Sequence, residues 1–593
     1  MKISTGKLIL ILLIVLFEGF LVTSVKAGGY SSEKSAEKAD DSSKKEKADD
    51  SSKKTSGKDY GNASEQPSEK ADDSSKKSSV KVPYDYSANI ECIKEPEKPL
   101  YGGGIIASSQ SSAGGKKLLS KSSAPIKGSV LKVDLKKDHH YALSAWLQLS
   151  KGTGDITAVI VTPDGKFNTA GAIVAQSGCW TLFKGGATSY AEGKGDLFFQ
   201  SNSTAEIMAE SIALQGFSFE EWNAHRDEVI AKERKKKVKI TVESDGKPLP
   251  DAELSVEWVA KGFPLGNAMT KEILDLPEYE EWFTKRFKWA TMENEMKWYS
   301  TEYTEGHEGF EVADKMLALA EKHNITLRGH NVFWDDESHQ MPWVEKLSLD
   351  KLKAAVAKHL KNVVSHFAGK VIHWDVVNEN LHFKFFEEKL GEDASGQIFN
   401  EVAKLDSKPI LFMNEFNTIE QPVDLAPVPT KYLARLKQIQ CYPGNKDLKY
   451  GIGLESHFDK PNIPYMRGSL DTLAAAKVPI WLTEVDVTKG PKQVEFLEEV
   501  MREGFGHPGV KGIVMWAAWH AKGCYVMCLT DNQFKNLPVG DVVPEKPKTD
   551  ANGVYEAELF HGEYRVTVKH SSLKEPIVQT VDLDSKSEAK LTC

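Results

Sequence analysis

The sequence contains little cysteine, no long apolar run and no excess of basic charge. Six cysteines occur among 593 residues, and no two form a Cys-x-x-Cys pair, which makes a zinc or redox centre a weak hypothesis. No uninterrupted apolar stretch reaches the roughly 18–20 residues of a strong membrane span, which excludes a multi-span membrane protein. The net charge of −9 argues against nucleic acid as the main partner, because phosphate binding requires a basic face.

The composition and the length are typical of a globular chain with several domains. Hydrophobic residues make up 40% and charged residues 27% of the sequence, both ordinary globular values. The length is about four times that of a typical domain of roughly 150 residues. Residues 28–80 are an exception, because large apolar side chains are nearly missing there.

The first 80 residues read as a targeting signal followed by a linker. Lys2 and Lys7 precede an apolar run at 8–17, and Ala27 ends a stretch of small residues, which is the order of a secretory signal peptide at 1–27. Residues 28–80 contain the repeat EKADDSSKK three times, which predicts a disordered, low-complexity Ser/Lys/Asp-rich linker. An adhesive role of this repeat in a cell wall remains an alternative.

We therefore expect a secreted protein, extracellular or in the cell wall, without stable membrane association after signal removal. Disulfides are permitted there, and a bond between Cys92 and Cys179 would staple the N-terminal module, although pairing cannot be deduced from the sequence. Glycosylation sequons occur at Asn62, Asn202 and Asn324, and each would be used only if exposed.

Residues 81–220 have the pattern of a β-sandwich module. Short alternating runs are separated by Gly, Ser and Pro, which favours an all-β sandwich of the jelly-roll kind. Trp146, Trp180, Tyr190 and Phe199 are candidates for a sugar-stacking face. For any one of them, a place in the hydrophobic core is the favoured interpretation.

Two segments flank the centre of the chain and resemble halves of one small β domain. Residues 221–261 contain the end of a charged helix followed by strands, and 546–593 contain further strands around His561 and Gly562. If 221–261 pair with 546–593, the central domain is inserted between them. The alternative is two unrelated flanking β segments.

Residues 262–545 alternate short apolar strands with amphipathic stretches. Eight such units match the size of a (β/α)8 barrel, a TIM barrel of the α/β class, whereas a doubly wound open sheet usually has fewer strands. We predict the barrel strands at 263–269, 287–292, 325–332, 371–378, 409–414, 450–457, 479–485 and 512–517.

Seven of these strands end in carboxylates, amides, imidazoles or indoles. In a barrel of this kind the chemistry lies at the carboxyl ends of the strands. There is no HExxH pattern for a metal and no GxSxG elbow for a serine nucleophile. Carboxylates, amides and tryptophans suit sugar, because indoles stack on pyranose rings and two carboxyls cleave an acetal. The strand-end residues are Glu293, Asn294, Lys297, His330, Trp334, Asn378, Glu379, Asn414, Glu415, Glu455, His457, Glu484, Asp486, Trp516 and Trp519.

Four motifs stand along these strands in a specific order. They are Glu293-Asn294-Glu-Met-Lys297-Trp298, Arg328-Gly-His330, Trp374-Asp-Val-Val-Asn-Glu379 and Leu482-Thr-Glu484-Val-Asp486. Together they resemble glycoside hydrolase family 10, the endo-β-1,4-xylanases, and the flanking pieces resemble its plant-type members. Residues 84–215, with Gly178-Cys-Trp180, are similar to a family 22 carbohydrate-binding module.

The resemblance implies a role for each matching residue. Glu379 would be the general acid/base and Glu484 the nucleophile. Asn378 would bond the sugar 2-hydroxyl, and His457 would orient the nucleophile. Glu293, Asn294, Lys297 and His330 would line the glycone subsites, and Trp516 and Trp519 would form an aromatic floor or lid. Trp334 and Asn414 complete the set of substrate-binding candidates.

The physical chemistry of the two carboxyls supports this assignment. A retaining glycosidase needs carboxyls about 5–5.5 Å apart, one protonated and one ionised. A negative charge on Glu484 would raise the pKa of Glu379 and keep it an acid. The alternative, that both are only ion-pair partners at the barrel rim, is disfavoured by the motifs around them.

Two positions depart from the common family pattern. Asp335 stands where many members have a histidine, and Glu455 stands where many have glutamine. Extra carboxylates near the cleft could raise neighbouring pKa values or change the tolerated sugar.

The leading hypothesis is a secreted enzyme that cuts xylan internally with retention of configuration and needs no cofactor and no metal. Its partner would be xylan or a related β-1,4-linked polysaccharide, and we expect a monomer. The alternatives are a xylan transglycosylase, or a catalytically weak wall polysaccharide-binding protein.

Overall fold

The computed structural model describes residues 82–107, 130–244, 247–248, 253–260, 262–542, 550–552, 555–569, 575–583 and 588–592. The signal peptide and linker expected at 1–80, with the sequon at Asn62, lie outside these residues. Over the described ranges, every helix is too short or too polar to cross a bilayer.

Seven strands between residues 131 and 218 form two antiparallel sheets. One sheet has the order β1-β6-β3-β4 and the other the order β5-β2-β7. In β1 every second side chain is buried, which is the burial pattern of a strand with one face on a core. The strands are β1 (Leu131–Leu135), β2 (His139–Leu149), β3 (Thr153–Val161), β4 (Phe167–Gln176), β5 (Thr181–Ser189), β6 (Gly193–Ser201) and β7 (Ile207–Ser218).

One hydrophobic core lies between these two sheets. It takes Leu143 and Phe183 from one sheet and Ile156, Ile173 and Leu197 from the other. A disulfide joins Cys92 to Cys179, so the pair considered from the sequence is present in the structure. This bond ties the extended N-terminal segment to the loop before β5.

Most of the aromatic candidates for a sugar-stacking face lie in the interior. Trp146, Trp180 and Phe199 are buried, and the two tryptophans pack together with Leu182. Tyr190 is 53% exposed. The favoured interpretation as core therefore describes three of the four, because burying a large aromatic removes much apolar surface from water.

Helix α2 (Phe219–Arg234) connects the N-terminal module to the centre of the chain. Ser218 caps it by accepting from the Glu221 backbone N–H, while the Glu221 side chain accepts from the Ser218 N–H, a complete capping box. Acidic residues lie in the first turn and basic residues in the last, as the helix dipole favours. The helix predicted from charge thus has strong local reasons to begin here.

Eight parallel strands close into a barrel in the region predicted for it. Each strand pairs with the next, and β19 pairs back with β11 to close the ring. A short strand β17 (His457–Phe458) adds to the carboxyl end of β18. The barrel strands are β11 (Leu265–Met269), β12 (Trp289–Met292), β13 (Thr326–Trp334), β14 (His373–Asn378), β15 (Ile410–Glu415), β16 (Tyr450–Leu454), β18 (Ile480–Val487) and β19 (Val510–Met515).

The helices of the barrel bury one face each against the strands. In α5 the buried side chains Ala313, Met316, Leu317 and Ala320 recur at helical spacing. Short 3-10 turns lie at Lys271–Leu274, Glu337–His339 and Gly540–Val542, with another at Leu100–Gly103. The α-helices are α1 (Gly104–Ala107), α2 (Phe219–Arg234), α3 (Pro277–Arg286), α4 (Trp298–Thr301), α5 (Glu311–Lys322), α6 (Pro342–Glu345), α7 (Leu349–His366), α8 (Phe385–Leu390), α9 (Ala394–Leu405), α10 (Pro429–Cys441), α11 (Ile463–Ala474) and α12 (Gln493–Gly506).

Strands before and after the barrel pair with one another. In one sheet β8 lies between β21 and β24, and in the other β10 pairs with both β20 and β22. The packed interior includes Val238, Ile240, Val566 and Val568. The strands are β8 (Lys235–Ser244), β9 (Lys247–Pro248), β10 (Glu253–Ala260), β20 (Asp550–Asn552), β21 (Tyr555–Phe560), β22 (Glu563–Lys569), β23 (Ile577–Asp582) and β24 (Glu588–Thr592).

A buried carboxylate joins the N-terminal module to the barrel. Asp471 on α11 lies 2.6 Å from the Lys184 ammonium of β5, accepts from the Tyr84 hydroxyl at 2.8 Å, and lies 3.1 Å from His507 Nε2. Nearby, the Arg467 guanidinium lies 3.7 Å from the centre of the Trp222 ring. Five separate segments of the chain therefore meet at this buried cluster.

The backbones of α11 and β5 also approach each other closely in this contact. Gly468 of α11 lies directly against Gly185 of β5, so that a Cβ built on Gly468 would be 2.8 Å from the Gly185 nitrogen. A Cβ on Gly186 would be 2.6 Å from Pro464 Cβ. Only residues without a side chain allow the helix and strand to approach this far.

Candidate active site

The two candidate catalytic carboxyls lie at the carboxyl ends of β14 and β18. Glu379 directly follows β14 and has φ of 59°, in the left-handed region, where the chain turns out of the strand. Its backbone N–H donates to the Asn414 carbonyl at 2.9 Å. Glu484 is part of β18, and its N–H donates to the Glu455 carbonyl at 2.9 Å. Both side chains are buried at the barrel mouth.

A chain of two asparagines connects these carboxyls. Asn378 Nδ2 donates to Glu379 Oε1 at 3.1 Å, and Asn414 Nδ2 lies 3.0 Å from Asn378 Oδ1. The same Asn414 nitrogen lies 2.8 Å from Glu484 Oε1. Thr483 donates to Asn414 Oδ1 at 2.5 Å, which sets the orientation of the amide. The carboxyls are thus held apart, each with one oxygen fixed by an amide.

Imidazoles keep Glu484 ionised. Its Oε2 lies 3.7 Å from His457 Nε2, and its Oε1 lies 4.0 Å from His330 Nδ1. Burial alone would raise the pKa of Glu484, but the contact with His457 and the positive charges around it hold the pKa below its ordinary value. An ionised carboxylate is the form a nucleophile requires.

The pKa of Glu379 is shifted in the opposite direction, above its ordinary value. Burial raises its pKa to about 8, and the negative charges of Glu415 and Glu484 add to the shift, whereas the Trp334 indole and the Lys297 ammonium oppose it. Glu379 is therefore protonated at neutral pH. Two carboxyls whose environments push their pKa values apart are the arrangement of an acid and a nucleophile.

Glu455, which departs from the family pattern, lies beside the nucleophile candidate. Its Oε1 lies 3.1 Å from Asn414 Nδ2, and its Oε2 lies 3.4 Å from His457 Nε2. Burial, with the charges of Glu484 and Glu379, raises the pKa of Glu455 well above its ordinary value. A protonated carboxyl offers a donor and an acceptor side by side, as the amide of glutamine does.

Asp335, the second departure, makes its contacts with another part of the chain. Its Oδ1 accepts from the Phe386 backbone N–H at 2.9 Å, in the first turn of α8. Burial raises the pKa of Asp335 to about 8, and the nearby charge of Glu387 adds to this. Glu387 in turn pairs with Arg435. The buried Asp335 carboxyl thus lies next to the half-buried carboxyl of Glu387, which belongs to α8.

His457 has carboxyl groups beside both of its ring nitrogens. Nδ1 lies 3.0 Å from Asp486 Oδ2, which leaves Nε2 facing Glu455 and Glu484. Burial lowers its pKa, but the contacts with these three carboxyls outweigh burial and raise the pKa of His457 well above its ordinary value. His457 thus lies beside the nucleophile candidate, and its orienting role stays a prediction.

The candidates after β12 form a second group, on another side of the mouth. Asn294 Nδ2 donates to Glu293 Oε2 at 3.1 Å, and Lys297 Nζ donates to Asn294 Oδ1 at 3.1 Å. The Lys297 ammonium lies 4.6 Å from the Trp334 ring centre and 5.8 Å from that of Trp516. Burial lowers the pKa of Lys297, although the surrounding carboxylates oppose this shift.

His330 is positioned by an ion pair inside the barrel. Its Nδ1 lies 2.9 Å from Asp375 Oδ2, and Arg328 donates to the other oxygen of Asp375 at 2.6 Å. All three side chains are buried. The ring of His330 lies edge-on to Trp516, 5.3 Å between centres.

The two tryptophans predicted to form an aromatic floor or lid have different surroundings. Trp516 lies beside His330 and Lys297, within the site. Trp519 is buried and packs against Tyr279 and Phe534 as part of the main core. The structure therefore brings Trp516 together with the polar candidates and places Trp519 in the main hydrophobic core.

Sequence reasoning passed over two residues of this site. His520 Nε2 lies 2.7 Å from Glu293 Oε2, and Asp375 holds His330. Asp375 could have been found, since a charged residue in the middle of an apolar strand requires a buried partner. His520 comes from a loop after β19, and no local pattern indicates its partner.

A cavity of about 500 Å³ adjoins the second group. It is lined by Glu293, Asn294 and His520, and it extends to Phe310 and Ala313 at the start of α5. Among the described residues, Glu455, His457 and Glu484 form one group whose ligand atoms are close enough to hold a metal ion. We assign it no metal, because the contacts of His457 with these carboxyls account for the geometry.

The glycosyl hydrolase family 10 model matches residues 254–525 of the chain. The chain is 38% identical over 510 residues to endo-1,4-beta-xylanase 5 of Arabidopsis thaliana, covering 82% of this chain and 90% of the relative. It is 36% identical over 520 residues to endo-1,4-beta-xylanase 4 of the same plant, covering 83% and 90%. The crystal structure of xylanase 10B from Thermotoga petrophila RKU-1 in complex with xylobiose has 24% identity, covers 47% of this chain and 92% of that chain, and has a TM-score of 0.42.

Proposed function

Because the chain belongs to glycosyl hydrolase family 10, we propose that it is a secreted endo-1,4-β-xylanase that hydrolyses internal linkages of cell-wall xylan with retention of configuration. The chain is thus a hydrolase, and the proposal concerns its substrate, its mechanism and its location. The observation that carries it is the pair of buried carboxyls with opposite pKa shifts, Glu379 upward and Glu484 downward.

In the first step, the Glu484 carboxylate attacks the anomeric carbon while Glu379 donates its proton to the leaving oxygen. A covalent ester between the sugar and Glu484 results, and the aglycone departs as an alcohol. The ester carries no charge, so the pKa of Glu379 falls at this point. Glu379 then takes a proton from water, the water attacks the same carbon, and the Glu484 carboxylate is released.

The surrounding residues supply orientation and charge. Asn378 donates to Glu379, and the family resemblance supports a contact of its side chain with the 2-hydroxyl of the reacting sugar. Lys297 and His330 lie near Glu484 and stabilise its ionised form. Trp334 and Trp516 lie beside Lys297 and would contribute apolar surface for sugar rings.

Secretion is supported by the signal pattern at 1–27 and by the disulfides of the chain. Cys92 pairs with Cys179 and Cys524 with Cys528, and such bonds persist in oxidising compartments. The sequons at Asn202 and Asn324 have exposed asparagines, as glycosylation requires.

The N-terminal module would hold the enzyme on polysaccharide as a family 22-like carbohydrate-binding module. Its resemblance at Gly178–Trp180 supports this role, and so does the exposed ring of Tyr190. Retention on an insoluble polymer would raise the effective substrate concentration at the barrel. We expect the protein to act as a monomer.

Product analysis tests the proposal. The secreted protein is incubated with glucuronoxylan and arabinoxylan beside its Glu484→Ala variant, and the products are separated by size. We expect short xylo-oligosaccharides from the wild type and a loss on the order of 10⁴-fold or more in the variant. Proton NMR of the first products shows whether the new reducing ends are β, as retention requires.

Two outcomes would contradict hydrolysis of xylan. Products longer than an added xylo-oligosaccharide would indicate transglycosylation, in which a sugar hydroxyl replaces water. If the wild type and the variant bind xylan equally and neither releases products, the protein is a polysaccharide-binding protein without xylanase activity.

A further inference from the structure

Asp335 holds the turn that carries the general-acid candidate on both of its sides. Before Glu379, the Asp335 backbone N–H donates to the Asn378 carbonyl at 3.0 Å. After it, the Phe385 N–H donates to the Asp335 carbonyl at 3.4 Å, and the Phe386 N–H donates to Asp335 Oδ1 at 2.9 Å. The turn between β14 and α8 therefore begins and ends on one residue.

The second oxygen of the Asp335 carboxyl and one oxygen of Glu387 are buried without a donor. Within the described ranges, no group donates to Asp335 Oδ2 or to Glu387 Oε2. The other oxygen of Glu387 accepts from the Arg435 guanidinium and from the hydroxyl and the backbone N–H of Ser395. Buried polar atoms without a partner are rare in proteins, because each one gives up its hydration for nothing in return.

One proton on Asp335 satisfies both of these oxygens. The two carboxyls lie within hydrogen-bonding reach of each other, and burial, with the nearby charge of Glu387, raises the pKa of Asp335 to about 8. The other charged group that acts strongly on Asp335 is Arg435 from α10, which pairs with Glu387. Its positive charge favours the negative charge on Glu387 and thus the proton on Asp335.

Resting on the proposed xylanase function, we propose that Asp335 is a positioning residue, whose carboxyl donates a hydrogen bond to Glu387 and thereby holds Glu379 where it can protonate the leaving oxygen. Loss of this proton would set two carboxylates against each other away from water, where like charges repel strongly. Asp335 and α8 would separate, and the turn between them would lose its anchor. Asparagine keeps one acceptor and one donor at this place and has no proton to lose, whereas alanine has neither group.

The first measurement compares two leaving groups at pH 6. Xylohexaose needs a proton on its leaving oxygen, whereas 2,4-dinitrophenyl β-xylobioside releases an anion that needs none. We expect Asp335→Ala to lower kcat/KM for xylohexaose about ten- to a hundredfold, as for a displaced catalytic group, and to lower the value for the dinitrophenyl substrate less than about threefold. Asp335→Asn should stay within about threefold of wild type on both substrates, because the hydrogen bond is kept.

The second measurement is the steepness of the alkaline limb between pH 9 and 10. In the wild type both Glu379 and Asp335 must be protonated, so kcat/KM for xylohexaose should fall about a hundredfold per pH unit, and in Asp335→Asn only about tenfold. Asp393→Asn, the same substitution at an exposed position before α9, is the matched control and should keep the wild-type steepness.

Two results would overturn the positioning role. One is an equal loss on both substrates in Asp335→Ala, and the other is a wild-type steepness in Asp335→Asn. If Asp335→Ala does not fold, the steepness in Asp335→Asn decides.

Urea denaturation tests the bond between Asp335 and Glu387 without any substrate. Asp335 loses its proton near a pH of about 4 in the unfolded chain and only near about 8 in the folded one, so the wild type loses stability as the pH rises between these values. Asp335→Asn escapes this loss, and its midpoint should rise relative to that of the wild type from pH 4 to pH 8. If the wild type cleaves neither substrate, the proposed function fails, and the midpoints alone judge the bond. A difference that does not grow with pH would overturn it.

Discussion

At the scale of single residues, the site obtains different chemistry from identical side chains. Glu379, Glu455 and Glu484 are all buried glutamates at one end of the barrel. Glu484 faces two imidazoles, Glu379 faces other carboxylates, and Glu455 lies next to both. Glu484 has three positive groups around it, His457, His330 and Lys297, whereas Glu455 has His457 alone, and this difference decides which carboxyl carries the negative charge at neutral pH.

The pH dependence of the enzyme follows from these shifts. The proposed mechanism needs Glu379 protonated, and its pKa of about 8 means that kcat/KM should fall as the pH rises through about 8. It also needs Glu484 ionised, so the acid limb should lie below the ordinary pKa of 4.5. Lys297→Met removes a positive charge that lowers the pKa of Glu379, and should move the alkaline limb upward.

Rates on xylohexaose across pH 3–10 measure both limbs. An alkaline limb near pH 5 would contradict the assignment of Glu379 as the acid. A downward movement of that limb in Lys297→Met would show that Lys297 does not act on Glu379 through its charge.

Glu455 should be replaceable by the amide that many family members carry. In the folded protein this carboxyl is held protonated, so Glu455→Gln changes neither the charge nor the shape of the site at neutral pH. We expect kcat/KM at pH 6 within about threefold of wild type, as for removal of one neutral hydrogen bond. A loss of a hundredfold or more would mean that Glu455 acts as an ionised group, and Glu484→Gln serves as the inactive reference.

At the scale of elements, the contact between α11 and β5 depends on glycine. Alanine usually stabilises a helix interior by about 1 kcal/mol relative to glycine. In Gly468→Ala, however, the new Cβ would lie 2.8 Å from a backbone nitrogen of β5, which cannot rotate away. We expect the variant to lose stability, near the upper end of the about 1–3 kcal/mol that overpacking costs, measured as the denaturant midpoint.

Gly490→Ala is the control for this prediction, because a Cβ there meets open space. Its midpoint should be unchanged or slightly raised. If Gly468→Ala is as stable as Gly490→Ala, helix and strand are less closely packed than the structure indicates.

The elements were predictable from the sequence, and many of their contacts were not. The alternation of apolar strands with amphipathic stretches, and the polar residues at the strand ends, predicted the barrel. The barrel brings Glu379, Asn414 and Glu484 together at the carboxyl ends of its strands. The surroundings of Trp519 and Asp335 depend on partners such as Phe534 and Glu387, which are set by packing of side chains from separate loops. Local sequence patterns carry no information on such pairs. The Cys524–Cys528 bond was likewise not deduced, because parity of cysteines leaves pairing open.

At the scale of the whole molecule, the N-terminal module and the barrel should unfold as one unit. Asp471 compensates the buried ammonium of Lys184 and also contacts Tyr84 and His507. Asp471→Ala would leave Lys184 buried without a counter-charge, at a cost of about 3–5 kcal/mol. We expect one transition in urea for the wild type and one, at lower urea, for the variant.

The double variant Asp471→Ala with Lys184→Met separates the charge effect from lost packing. It should recover part of the stability, since no unpaired charge remains. Two separate transitions in the wild type, followed by fluorescence and by activity, would show that module and barrel are independent.

The pairing of β8 with β21 and β24 has a consequence for synthesis on the ribosome. β8 emerges first and pairs at its carboxyl end with the short β9, whereas β21 and β24 follow on the order of 300 residues later. At about 5–20 residues per second, the unpaired edges of β8 wait roughly 15–60 s while the whole barrel is translated. During that interval the lysines at the start of β8 give the nascent strand a charged edge, which disfavours pairing with other chains until the C-terminal strands arrive.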